Sequence, residues 1–143
     1  MKSRPGVLIA VVCALVPALH AKPSPLQVAQ AAPQGEVESL AQAAEVRIVF
    51  SEPMVALGRI PATVAAPFLH IAPALPGTLR WSGTRTLVFT PADLLHLPYA
   101  TRYDVTVDIT AAAVSGARLD APYTFSFTTP TRTTRWPSAA ASR

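Results

Sequence analysis

Arg85-Thr-Leu-Val-Phe-Thr-Pro91, Tyr103-Asp-Val-Thr-Val-Asp-Ile-Thr110 and Tyr123-Thr-Phe-Ser-Phe-Thr-Thr129 follow one another in the second half of the chain. From Arg102 to Thr110 the alternation is unbroken. Arg102, Asp104, Thr106, Asp108 and Thr110 fall on one side, and Tyr103, Val105, Val107 and Ile109 on the other. Period two is the mark of a strand with one wet face and one buried face. Leu87 and Phe89 repeat the pattern in the stretch before it, and Tyr123, Phe125 and Phe127 in the stretch after it. Three short antiparallel strands are expected here.

Outward from this block the same signals recur. Thr78–Trp81 reads as a strand, with Leu79 and Trp81 inward, joined to Arg85–Phe89 by a turn at Ser82-Gly83-Thr84. Glycine supplies the positive φ that such hairpins need. Pro76-Gly77 reads as a turn. Phe68–Ile71 and Glu45–Phe50 read as two further strands, the latter broken at Ser51-Glu52-Pro53, with Val55–Leu57 resuming it. A proline there removes a ladder donor. Thr90-Pro91 suits the start of one helical turn, with Leu94, Leu95 and Leu97 folding back on the core. Six or seven short strands with no long amphipathic helix between them give an all-β fold, an antiparallel sandwich. A small OB-like barrel is the competing arrangement.

The N-terminus carries a different signal. Lys2 and Arg4 precede an apolar run from Val7 to Leu19, and Leu19-His20-Ala21 follows. A basic start, a short apolar core and a small-residue exit describe a secretory signal peptide over residues 1–21. The alternative is an uncleaved anchor, for which the run is short against the roughly 20 residues a spanning helix needs. The expected location is therefore periplasmic or extracellular, without a transmembrane segment after cleavage. Residues 22–44 are rich in Ala, Gln and Pro and are expected to be a linker, with a short helix over Glu36–Ala44. Residues 45–129 are the expected domain, and 130–143 a polar tail containing Trp136.

Charge and cysteine content narrow the function. The chain has 12 Lys and Arg against 8 Asp and Glu, and removing Lys2 and Arg4 from the net +4 leaves +2. The arginines are scattered singly, which is no nucleic-acid footprint. Cys13 is the one cysteine and lies within the signal run, so disulfides, thiolate ligands and a cysteine nucleophile are not expected in the mature chain.

No motif assembles catalytic chemistry. His70 and His96 are isolated imidazoles without a nearby cysteine, a poor zinc set. Asp104 and Asp108 share a strand face with Arg102 and Thr106, which is how a solvated sheet face looks; paired-carboxylate hydrolysis needs acids flanking a cleft. Glu52, Asp93 and Asp120 make no calcium-loop spacing. Ser51, Ser82, Ser115 and Ser126 lack a nucleophile-elbow setting. Trp81, beside Leu79 in a hairpin, is expected in the core. No catalytic, cofactor or metal residues are assigned, and no small-molecule substrate.

Val46-Arg-Ile-Val-Phe-Ser-Glu-Pro-Met54, Leu87-Val-Phe-Thr-Pro91, Thr101-Arg-Tyr-Asp-Val-Thr-Val107 and Tyr123-Thr-Phe-Ser-Phe-Thr-Thr129 resemble, in order and spacing, the strands of the bacterial Ig-like domain of surface-layer and secreted proteins. The resemblance implies an Ig-like sandwich of about seven strands acting as a non-catalytic structural or protein-binding module of the cell envelope. Ile71–Pro91 is more narrowly similar to an N-terminal module of bacterial alpha-2-macroglobulins, periplasmic protease traps. Their thioester chemistry has no counterpart here. The partners implied are another envelope protein or further Ig-like or macroglobulin domains. On this reading the contact surfaces are Glu52–Ala65 and Ala111–Asp120, since loops on a rigid scaffold carry recognition.

Overall fold

Val46, Ile48 and Phe50 are buried while Arg47 is exposed, so β3 (Val46–Phe50) presents one face to the core and one to water. The same alternation builds the other strands. The computed structural model describes residues 24–61 and 64–132, and its remaining strands are β1 (Val28–Ala32), β2 (Gly35–Glu36), β4 (Leu69–Ala72), β5 (Gly77–Ser82), β6 (Thr86–Pro91), β7 (Arg102–Val107) and β8 (Tyr123–Thr128). They form two four-stranded sheets, ordered β1-β3-β6-β5 and β2-β8-β7-β4. All pairings are antiparallel except the short β2–β8 contact. β1 and β2 are two halves of one first strand that changes sheets. Counted that way, the order is A-B-E-D facing A′-G-F-C, the constant-type immunoglobulin topology. The small barrel is thereby ruled out.

The core lies between the sheets. Phe50 meets Trp81 at 6.2 Å and the edge of Phe68 at 6.4 Å between ring centres, and Tyr103 stacks on Phe127 at 5.3 Å. Offset and edge contacts of this kind add to the burial term. Ile48, Leu87, Val105 and Val107 fill the layer between them, each essentially without solvent exposure. Fully burying such a side chain stabilises the fold by about 1.5–3 kcal/mol. Burial also raises the pKa of the Tyr103 phenol.

The structure corrects the linker expected over 22–44. β1 pairs with β3 from Val28 to Ala32, with an irregularity between Val28 and Gln30, and Leu26, Ala31, Val37 and Ala43 are all buried. The segment is poor in large apolar residues, but its small ones fit a surface that β3 already provides. The helix expected over Glu36–Ala44 reduces to a 3-10 turn, Leu40–Ala43. Val55–Leu57 does not resume a strand, and no helical turn forms after Thr90. Leu97 folds into the core as expected, whereas Leu95 stays in solvent. The strand starting at Arg102 ends at Val107, three residues early. The segment read as a signal peptide, residues 1–21, lies outside the described residues, as does the tail beyond Arg132 with Trp136. Pro130 and Arg132 are placed, with the Pro130 carbonyl accepting from Ala100 N–H at 3.0 Å and the Arg132 guanidinium 4.8 Å from the Tyr99 ring centre.

Two local features lock this frame. Thr129 is fully buried at the end of β8; its hydroxyl accepts from Thr101 N–H at 2.9 Å and donates to the Pro98 carbonyl at 2.6 Å. It ties the β6–β7 connection to the last strand. Gly77 is the second. It opens β5 instead of sitting in a turn, and a methyl group there would overlap the Phe89 ring and the Thr90 carbonyl oxygen. On the outer face of the first sheet Val88 is flanked by Arg47 and Arg80, and it is fully buried. Glu45 bridges both guanidiniums, at 2.6 and 2.9 Å, holding their aliphatic stems over it. The Arg47 and then the Arg80 hydrogen bonds hold the Glu45 carboxyl below the ordinary glutamate range.

Thr129→Val is expected to cost about 1–3 kcal/mol in chemical denaturation because it leaves the part-buried Thr101 N–H and Pro98 carbonyl without their partner. Thr128→Val, on the outer face, should stay within about 0.5 kcal/mol. Gly77→Ala is expected to lose about 1–3 kcal/mol by forcing Phe89 and the β6 backbone apart.

Candidate functional site

The stretch after β3 begins Ser51-Glu52-Pro53, and Pro53 has no N–H to extend the ladder. The chain turns instead onto the β5–β6 hairpin, where the Thr84 carbonyl accepts from Met54 N–H at 2.7 Å. It then crosses one pole of the sandwich and returns at Ala66, whose carbonyl accepts from Leu69 N–H at 2.9 Å. The β7–β8 connection, 108–122, reaches the same pole. Val114 N–H donates to the Pro53 carbonyl at 2.8 Å, and the Ser115 hydroxyl donates to the Glu52 carboxylate. Leu26 N–H donates to the Arg118 carbonyl at 3.0 Å, so the incoming chain braces the second loop. The start of the first stretch singled out in the sequence, Glu52 and Pro53, is therefore tied to Val114 and Ser115 of the second.

Burial divides this pole into a base and a rim. Met54, Ala66, Ala111, Ala113 and Leu119 are buried beneath it. Above them Leu57 is 88% exposed, Ile60 42%, Ile109 47% and Val114 59%. Four of the six large exposed hydrophobics among the described residues stand at this pole; Leu95 and Tyr99 stand at the other. In immunoglobulin variable domains the equivalent B–C and F–G loops carry recognition. Gly58 and Gly116, at φ 81° and 88°, make the turns that bring the aliphatic tips outward.

Ile109 is the residue that alternation misplaced. The Asp108 side chain accepts from Thr110 N–H at 2.8 Å, an Asx-type turn that ends the strand and rotates Ile109 into solvent. An aspartate two residues before a hydroxyl residue at a strand end was the available signal. The Thr110 N–H, with a smaller part from its hydroxyl and less from His70, lowers the Asp108 pKa below the ordinary aspartate range.

The residues weighed for chemistry are dispersed. Asp104 pairs with Arg102 at 3.0 Å on the outer face of the second sheet. His70 lies opposite Thr106 on that face, while His96 pairs with Asp93 at 2.6 Å in the β6–β7 connection. Asp120 is exposed in the second loop. Ser51 accepts from Gln27 N–H at 3.0 Å, Ser126 lies opposite Asp104, and Ser82 is exposed at the end of β5. Trp81 is in the core. Among the described residues no three of His, Cys, Asp and Glu come together as a metal site, and no helix is long and apolar enough to cross a membrane.

The Asp108 turn carries a pH signature. A carboxyl whose folded pKa is depressed contributes stabilisation above its unfolded pKa and loses it as pH falls through the folded value. The protection of the Thr110 amide, relative to an unstructured peptide at the same pH, is therefore expected to hold at neutral pH and to be lost only below the ordinary aspartate titration. Asp108→Asn, which lacks the charged acceptor, should remove most of that pH dependence.

The bacterial Ig-like domain model matches residues 22–129. That span includes β1, which lies in the stretch expected from sequence to be a linker. No characterised protein matches the chain. The chain belongs to the bacterial Ig-like domain family and folds as a two-sheet β-sandwich.

Proposed function

We propose that this domain is an exported protein-binding module of the bacterial envelope, in the periplasm or outside the cell. Its contact surface on this reading is the pole formed by loops 51–68 and 108–122. The observation that carries it is the concentration of Leu57, Ile60, Ile109 and Val114 in solvent on two loops tied to each other. Single exposed aliphatics are ordinary, whereas a group of them on a braced surface marks an interaction site. Export is supported by the basic-apolar-small pattern of residues 1–21, immediately before the start of the family match.

A second reading rests on Ile71–Pro91, which resembles an N-terminal module of bacterial alpha-2-macroglobulins. In that role the domain packs against further modules and does not inhibit a protease by itself. A stoichiometric inhibition assay with the purified chain alone is expected to show no inhibition.

The direct test is affinity capture from an envelope fraction. Leu57→Glu and Val114→Glu change exposed positions, so each should leave the melting temperature nearly unchanged. Each is expected to weaken capture of the wild-type partner at least about tenfold, as removal of an apolar anchor does. Capture unaffected by both substitutions contradicts this choice of surface. Mass analysis of the exported protein is expected to show Lys22 as its first residue.

A further inference from the structure

Four strands lie at sheet edges, and three of them are protected. β4 has four residues between Pro67 and Pro73. β1 is irregular near Val28 and runs into Pro33, and β2 has only two residues. Short length, bulges and flanking prolines are the usual defences of an edge. β5 has only Pro76, just before its first residue. It is six residues long, regular in register with β6 from Gly77 to Ser82, and free of proline. Its one charge, Arg80, is turned across the sheet face to Glu45 at 2.9 Å.

The phase of the β5 backbone follows from its neighbours. Ala92 N–H donates to the Pro76 carbonyl at 2.9 Å, and residue 76 lies opposite 92 in the register. In an antiparallel ladder the N–H and C=O of one residue point to the same side, and alternate residues point to opposite sides. Thr78, Arg80 and Ser82 therefore bond to β6. The backbone groups of Gly77, Leu79 and Trp81 point away from it, along the open edge.

We propose that β5 pairs with β5 of a second copy of this chain, antiparallel about a two-fold axis at Leu79, joining two four-stranded sheets into one of eight strands. The phase allows this register. It equally allows one centred on Arg80, in which Leu79 and Trp81 exchange bonds across the axis, but that register sets two Arg80 side chains directly opposite each other, where like charges repel. Centred on Leu79, the outward groups of Gly77 and Trp81 meet those of Trp81 and Gly77 in the other copy. Trp81 then lies across from Gly77 of the other copy, with its ring kept in its own core against Phe50. Leu79, half-buried at the edge, faces its own counterpart. Arg80 lies across from Thr78 and not from another Arg80, so the charge that would oppose self-pairing is held out of line. The contact is isologous and closes at two copies.

Thr78 is exposed, so charge can be placed there without disturbing the core. Sedimentation equilibrium of the purified protein is expected to show a reversible dimer. Thr78→Arg sets two like-charge pairs across the axis and should weaken the dimer about tenfold, while Thr78→Glu sets two opposite-charge pairs and should tighten it by a similar factor. Unfolding cannot mimic a pair of changes with opposite sign. The proposal is overturned if the wild-type protein stays monomeric up to about 1 mM. It is also overturned if the two substitutions shift the dimer in the same direction or not at all.

Discussion

Everything in this molecule hangs on one apolar layer between two sheets, and hydrocarbon alone holds it. Immunoglobulin domains of the antibody type join strands B and F by a disulfide beside a buried tryptophan. Here the facing strands β3 and β7 present Val46, Ile48 and Phe50, and Tyr103, Val105 and Val107. The tryptophan is Trp81, on β5 instead of the C strand, leaning on Phe50. With no covalent staple, stability depends on filling the layer without voids. That requirement explains why the periphery is built so tightly. Thr129 closes one pole with its hydroxyl, Gly77 makes room for Phe89, and Val88 is sealed under two arginine stems.

The strands after Phe50 were legible because each buries alternate large side chains, and period two survives in the sequence wherever burial is one-sided. β1 was not, because its one buried residue is Ala31, amid Gln and Ala, with Leu26 before it. Its stabilisation comes from main-chain pairing with β3 and from closing an edge, neither of which leaves a hydrophobic pattern. Ile109 failed for the opposite reason. Its apolar side chain continued the alternation, but the Asp108 carboxylate ended the ladder locally. Gly77 looked like a turn residue after Pro76, and only the proximity of Phe89 shows why a side chain is excluded there.

The candidate site was legible as two loops and illegible as one surface. Pro53 and Val114 are far apart in sequence, and nothing in either loop announces that Val114 N–H reaches the Pro53 carbonyl. The sandwich supplies that meeting. Strands β3 and β7 end, and β8 begins, at the same pole. Their connections converge whatever their sequences, and loop composition then decides what they present. Here it presents aliphatic tips with few charges, on a base held by backbone hydrogen bonds.

Residues 24–61 and 64–129 form one cooperative sandwich in which the N-terminal strand belongs to the core. Native-state hydrogen exchange measures this most directly. The amides of Ile48, Leu87, Val105 and Phe125 are expected to exchange only through global unfolding, with Gln30 and Ala32 of β1 strongly protected by their pairing with β3. Exchange of Gln30 and Ala32 at the rate of an unstructured peptide, or separate unfolding free energies for the two sheets, would contradict it.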